Sequence, residues 1–128
     1  MSQKVDHLLG GEDLDFHPWV KELQGMVTAC DQNGKIISMN ADAVRMFSDR
    51  GGEKLLGSPI LDCHPEPSKS KLKALMESRQ KNIYTIQKNG LRKLIYQAPW
   101  YRDGEYAGYV ELDFEIPWEM PHFNRDKQ

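Results

Sequence analysis

Three turn signals constrain this chain more than anything else in it. Asp31-Gln32-Asn33-Gly34, Asn89-Gly90 and Asp103-Gly104 each separate two β-prone runs, and turns this tight join antiparallel neighbours. The first links Met26–Cys30 to Lys35–Met39. The other two link strands at about 82–88, 91–100 and 105–114. Between these β blocks the pattern is helical. Asn40 stands as an N-cap before Ala41–Phe47, where Val44 and Phe47 share a face. Gly51-Gly52 breaks that helix, and a Glu53–Leu56 turn ends at Gly57. Three prolines deny Ser58–Pro67 a single regular element. Ser68–Gln80 reads as a helix with Leu72, Leu75 and Met76 inward and Lys69, Lys71, Lys73 and Arg79 outward.

Before the first hairpin, Phe16, Trp19, Val20 and Leu23 recur at helical spacing, with Asp15 as a cap and Gly25 as a stop. The chain therefore divides into a flexible leader (1–14), an N-terminal amphipathic helix (15–24), a folded domain (25–116) and an irregular tail (117–128) holding Pro117 and Pro121. This order predicts an α+β fold: a five-stranded antiparallel sheet with helices over one face and an N-terminal helix beside it. A sheet that curls over helices leaves a cavity between the layers, a common place for a small ligand.

Composition narrows the function classes. The 128 residues suit one domain, and 39% hydrophobic with 28% charged residues is ordinary globular usage. A net charge of −2 lacks the basic excess of a nucleic-acid platform. No run reaches the roughly 18 apolar residues of a membrane helix, and Met1–Val20 holds no apolar export signal, so the expected location is the cytoplasm. Cys30 and Cys63 make neither a disulfide framework nor a zinc site. There is no Gly-x-Ser-x-Gly step and no phosphate-binding loop, so no enzyme is expected and no catalytic residue is assigned.

Asp31-Gln32-Asn33-Gly34-Lys35-Ile36-Ile37-Ser38-Met39-Asn40 resembles the Asp-x-x-Gly-x-Ile-x-x-x-Asn signature of PAS domains. Ala43, Phe47, Leu56-Gly57, Asn89-Gly90, Pro99, Asp103-Gly104 and Gly108 follow at that family's spacing, so the likeness spans about residues 25–116. The ending departs from the pattern: Glu115-Ile116-Pro117 stands where members often run into a coiled coil, and Pro117 stops a continuous helix. The resemblance implies a sensory or dimerisation module, with a small molecule, a second copy or an effector protein as partner. Ligand-free scaffolding and haem-based sensing are the alternatives.

Cys63-His64-Pro65-Glu66-Pro67 is the most unusual stretch and resembles a PAS subgroup with a Cys-His-Pro step. His64 either points into the cavity, to contact a polar ligand or ligate a haem iron, or satisfies local backbone groups that the prolines leave without donors. Haem-binding relatives place their histidine just beyond the Pro-Glu-Pro step, where this chain has Ser68, Lys69, Ser70 and Lys71. Flavin photoreceptor relatives place their reactive cysteine where Ile60 stands, so flavin is not expected. Both cysteines read as buried, inert thiols. His7, His17 and His122 read as solvent-facing.

The strand at 91–100 is apolar on both faces at its centre, so both sides need cover. By the resemblance, Ile95 and Gln97 face the cavity, with Gln97 either orienting a ligand or pairing with backbone. The expected cavity wall is Met39, Phe47, Ile60, His64 and Leu72, together with Leu75, Ile86, Ile95, Gln97 and Val110. The expected outer face is Trp19, Leu94, Tyr96, Trp100 and Tyr109, an apolar patch large enough to predict a homodimer.

Overall fold

Asn40 organises the opening third of the protein, whose structure, a computed structural model, describes residues 18–126. The leader (1–14), His7, Asp15, Phe16 and His17 lie outside those residues. Of the helix expected over 15–24, the described part is one turn, α1 (Pro18–Lys21). It stops short of Gly25 because Asn40 Nδ2 takes the Val20 carbonyl, at 3.0 Å, that a continuing helix would offer to Gln24. The same nitrogen donates to the Gly25 carbonyl at 2.8 Å, while Asn40 Oδ1 accepts from the Val27 and Ala43 amides at 3.0 Å each. Every bonding opportunity of this amide is used, and the residue is only 3% exposed. One side chain therefore caps α2 (Ala41–Met46) and ties it to α1 and to β1 (Met26–Asp31).

β1 turns back into β2 (Ile36–Met39) through the Asn33-Gly34 turn. The closing strands are β3 (Asn82–Lys88), β4 (Leu91–Arg102) and β5 (Glu105–Ile116). All pairs are antiparallel in the order β2-β1-β5-β4-β3, so the first hairpin and the last meander join through β1 and β5. Three short 3-10 turns (Ser48–Arg50, Gly52–Leu55, Ile60–Cys63) and then α3 (Ser68–Ser78) connect the two β blocks. The segment at 57–60 also closes the free edge of β2. Ile36 donates to the Ser58 carbonyl, Gly57 to that of Ile36, and Ile60 to that of Gly34, at 2.7 to 2.9 Å.

The solid core lies under β1, β2 and the start of β5, where Met26, Cys30, Ile36, Ala43, Ile60 and Tyr109 are almost completely buried. Tyr109 corrects one sequence expectation. Cross-strand partners share a face, so Cys30↔Tyr109, Thr28↔Glu111 and Met26↔Asp113 set the odd-numbered residues of β5 inward. Tyr109 therefore points into the core, 1% exposed, and Val110 points outward opposite Ala98. The expectation failed because it set the more apolar parity inward, whereas β5 presents its acidic residues to the interior.

Outward, Trp100 lies across Gly108 and donates its indole N–H to the Cys30 carbonyl at 3.0 Å. A Cβ at Gly108 would overlap that carbonyl and come within 2.7 Å of the indole nitrogen. Its φ of +154° also favours glycine.

Candidate functional site

Beyond the solid core, the sheet and the helical segment separate. β3, β4 and β5 form one wall and residues 46–72 the other, around a cavity of about 600 Å³. Phe47, Leu72, Ile86 and Ile95 are its apolar surfaces. His64, Asn82, Gln97, Glu111 and Asp113 are the polar groups of its interior, and Tyr84 lines its exposed side. Of the expected wall, Phe47, His64, Leu72, Ile86, Ile95 and Gln97 meet here. Met39 and Ile60 lie instead in the solid core, with Leu75 packed against it, because the 57–60 segment closes tightly over β2. Val110 is on the opposite face of the sheet.

His64 follows the Ile60–Cys63 turn, with Pro65 next, and this brings its ring over β5. Nδ1 lies 3.0 Å from the Ile60 carbonyl and Nε2 lies 3.3 Å from Glu111 Oε1. Burial works against a charged ring, but the Cys63 side chain, the Glu111 carboxylate and the Ile60 carbonyl outweigh it and raise the pKa from 6.5 to about 10. His64 is thus an imidazolium at neutral pH. It makes the local backbone contact expected of it, and its other ring nitrogen faces Glu111 inside the cavity.

That arrangement does not fit an iron ligand. An imidazolium has no free lone pair, and both ring nitrogens already face protein oxygens. Among the described residues, no group of three His, Cys, Asp or Glu side chains is placed to hold a metal ion. Cys30 and Cys63 are both buried, and burial above all pushes the Cys30 thiol up to about 11, away from the reactive thiolate.

Next to Glu111, two residues along the same face, is Asp113. Lys93 Nζ lies 3.1 Å from Asp113 Oδ1, with the two side chains 17% and 9% exposed. Gln97 stands directly across from Glu111 and accepts from Asn82 Nδ2 at 2.9 Å, so its partner is a side chain rather than backbone. Burial, then Glu111 and Asp113, raise the pKa of the Tyr84 phenol, which stays a neutral donor. Glu111, Asp113, Asn82, Tyr84 and Lys93 do not follow from the apolar pattern of the sequence. The available signal was the pair of acids at i and i+2 on a cleanly alternating strand.

On the outer face, Leu94, Tyr96 and Trp100 share one side of β4 and are half-buried. Trp19 is 66% exposed on α1, and Tyr109 is excluded from this face by its inward direction. No helix among the described residues is long and apolar enough to cross a membrane.

No family model matches the sequence, and no curated protein does. Solved structures do. A C-terminal domain from Streptococcus mutans superposes with a TM-score of 0.63 at 18% identity, over 76% of this chain and 79% of that one. The PAS domain of the histidine kinase ThkA gives 0.55 at 16% identity, over 70% and 98% of the two chains. The Vibrio cholerae Aer2 receptor, described as a dual PAS-heme oxygen sensor, gives 0.55 at 16% identity, over 73% and 95%. The strand order, the antiparallel pairing and these superpositions agree: the chain has the fold of a PAS domain.

Proposed function

We propose that this domain is a non-enzymatic sensory module. It takes up a small molecule between β3–β5 and the 46–72 segment, and its occupancy alters contacts of the outer sheet face with a second copy or an effector protein. The cavity of about 600 Å³ carries this reading, because it combines apolar surfaces with a few convergent polar groups, the usual make-up of a ligand site. Likeness to a PAS domain of a histidine kinase and to a receptor supports a signalling role. Binding would select one arrangement of the 57–80 segment from those the protein samples. Haem has no part in this reading, since His64 is committed to Ile60 and Glu111.

A thermal-shift screen of small molecules tests it. A ligand at 100 times its dissociation constant stabilises the folded state by about 2.7 kcal/mol. Stabilisation that disappears when Gln97→Leu alters the cavity supports the reading. A screen in which nothing stabilises the protein leaves the second reading, a ligand-free dimerisation domain, which the apolar outer face of Leu94, Tyr96 and Trp100 favours.

A further inference from the structure

β3 is an uncovered sheet edge, whereas the opposite edge, β2, is closed by the main chain of residues 57–60. The Asn89-Gly90 turn, with φ of +55° and +79°, joins β3 to β4 through a two-residue loop. Lys88 and Leu91 flank that loop and exchange both main-chain hydrogen bonds, and the pairing alternates from there along an unbroken register. Asn82, Tyr84, Ile86 and Lys88 thus direct their main-chain groups at β4. Ile83, Thr85 and Gln87 turn theirs outward, and no described residue bonds to them.

Sheet edges are ordinarily blunted by proline, a bulge or a covering segment. Residues 82–88 have none of these. Lysine also guards edges, but Lys81 and Lys88 stand at the two ends and leave six uncharged residues between them. Two of the six, Ile83 and Tyr84, are 52% and 41% exposed, on opposite faces of the strand. Charge restricts what this edge can accept. Between Glu77 and Asp103 there is no acid, against Arg79, Lys81, Lys88, Arg92, Lys93 and Arg102, in a chain of net charge −2. Lys81 and Lys88 are exposed and form no ion pair among the described residues. A second β3 would set two such basic segments side by side, which like-charge repulsion opposes.

We infer that β3 is the docking edge for an extended segment of a partner protein, apolar at its centre and acidic at its ends, which joins the sheet as a sixth strand. Ile83, Thr85 and Gln87 offer that segment three N–H donors and three carbonyl acceptors, the main-chain source of affinity in strand addition. Ile83, on the outer face with Tyr96, and Tyr84, on the other face with Ile95, flank its central side chains. Carboxylates at its ends meet Lys81 and Lys88, and the basic surroundings steer it to this edge. The edge acts independently of whatever the cavity holds.

Fluorescence anisotropy with the full chain tests this. The probe is a short labelled peptide of alternating Val and Thr with two glutamates at each end. Its counterparts carry lysines in place of the glutamates, or N-methyl groups on every central amide. The glutamate peptide should bind with a dissociation constant below about 1 mM, and both counterparts at least tenfold more weakly. Thr85→Pro removes one outward N–H and no bond to β4, so it should weaken binding at least tenfold. If Thr85→Pro fails to fold, the exposed double variant Lys81→Glu/Lys88→Glu should lose the glutamate peptide and gain the lysine one. No binding of the glutamate peptide, or equal binding of the lysine peptide, overturns the inference. Binding that survives both N-methylation and Thr85→Pro is polyanion attraction alone, which an oligonucleotide would share, and also overturns it. So does a dimer of the chain that Thr85→Pro turns into a monomer, because the edge then belongs to a second copy.

Discussion

His64 Nε2 lies 3.3 Å from Glu111 Oε1 across 47 residues of sequence, joining the proline-rich segment to β5 inside the cavity. The contact spans both walls of the site. Any ligand that engages Glu111 also acts on the segment that ends at His64.

This pair makes stability depend on pH. The folded-state pKa of His64, about 10, lies above its ordinary 6.5. The contribution is complete below pH 6.5 and disappears as pH rises through 10, because only the folded state keeps the proton in that window. Unfolding free energy should fall between those limits by at most roughly 1.4 kcal/mol per pH unit. Urea denaturation across the window checks this, and His64→Gln should flatten the profile.

Asn40→Asp should cost about 3–5 kcal/mol, in the range for a buried charge left without a counter-charge. The new carboxylate would keep the acceptor for the Val27 and Ala43 amides, but its second oxygen would face the Val20 and Gly25 carbonyls in place of Nδ2. Asn40→Ala should cost less, since it removes the bonds without adding repulsion. Equilibrium denaturation of the two variants gives the order, and an equal cost would contradict the role of Asn40 Nδ2 in tying α1 to β1.

Lys93→Met should destabilise by about 3–5 kcal/mol, because it leaves the Asp113 carboxylate buried beside no counter-charge. The double variant Lys93→Met/Asp113→Leu should recover most of that loss. A double-mutant cycle measures the coupling, and strict additivity would show that the two side chains act independently.

The outer face predicts self-association. Leu94, Tyr96 and Trp100 lie on one side of β4, with Leu112 opposite Tyr96 and Phe114 opposite Leu94. Sedimentation equilibrium at about 100 μM should give a dimer, and Tyr96→Glu should give a monomer with unchanged circular dichroism, because a buried unpaired charge opposes association. A wild-type monomer under those conditions rules out this dimer.

Local chemistry made the architecture legible. Asn33-Gly34, Asn89-Gly90 and Asp103-Gly104 sit at the three hairpin turns, and Asn40 caps α2. The strand face of β5 was not legible. Patterning assumes that the interior is the more apolar side, but the interior side here carries Glu111 and Asp113, while Val110, Leu112 and Phe114 face outward. The same assumption assigned Met39, Ile60 and Leu75 to a cavity that the 57–60 segment fills with solid core. His64–Glu111 and Lys93–Asp113 are partners set by tertiary register, to which no short spacing in the sequence points.

Native mass spectrometry of the full chain, purified without denaturant and then exposed to the compounds that stabilise it, tests the central claim most directly. A one-to-one small-molecule complex that Gln97→Leu and Glu111→Gln each weaken is the predicted result. A bare protein mass with every compound, or complexes that neither substitution changes, would contradict a ligand held between β3–β5 and the 46–72 segment.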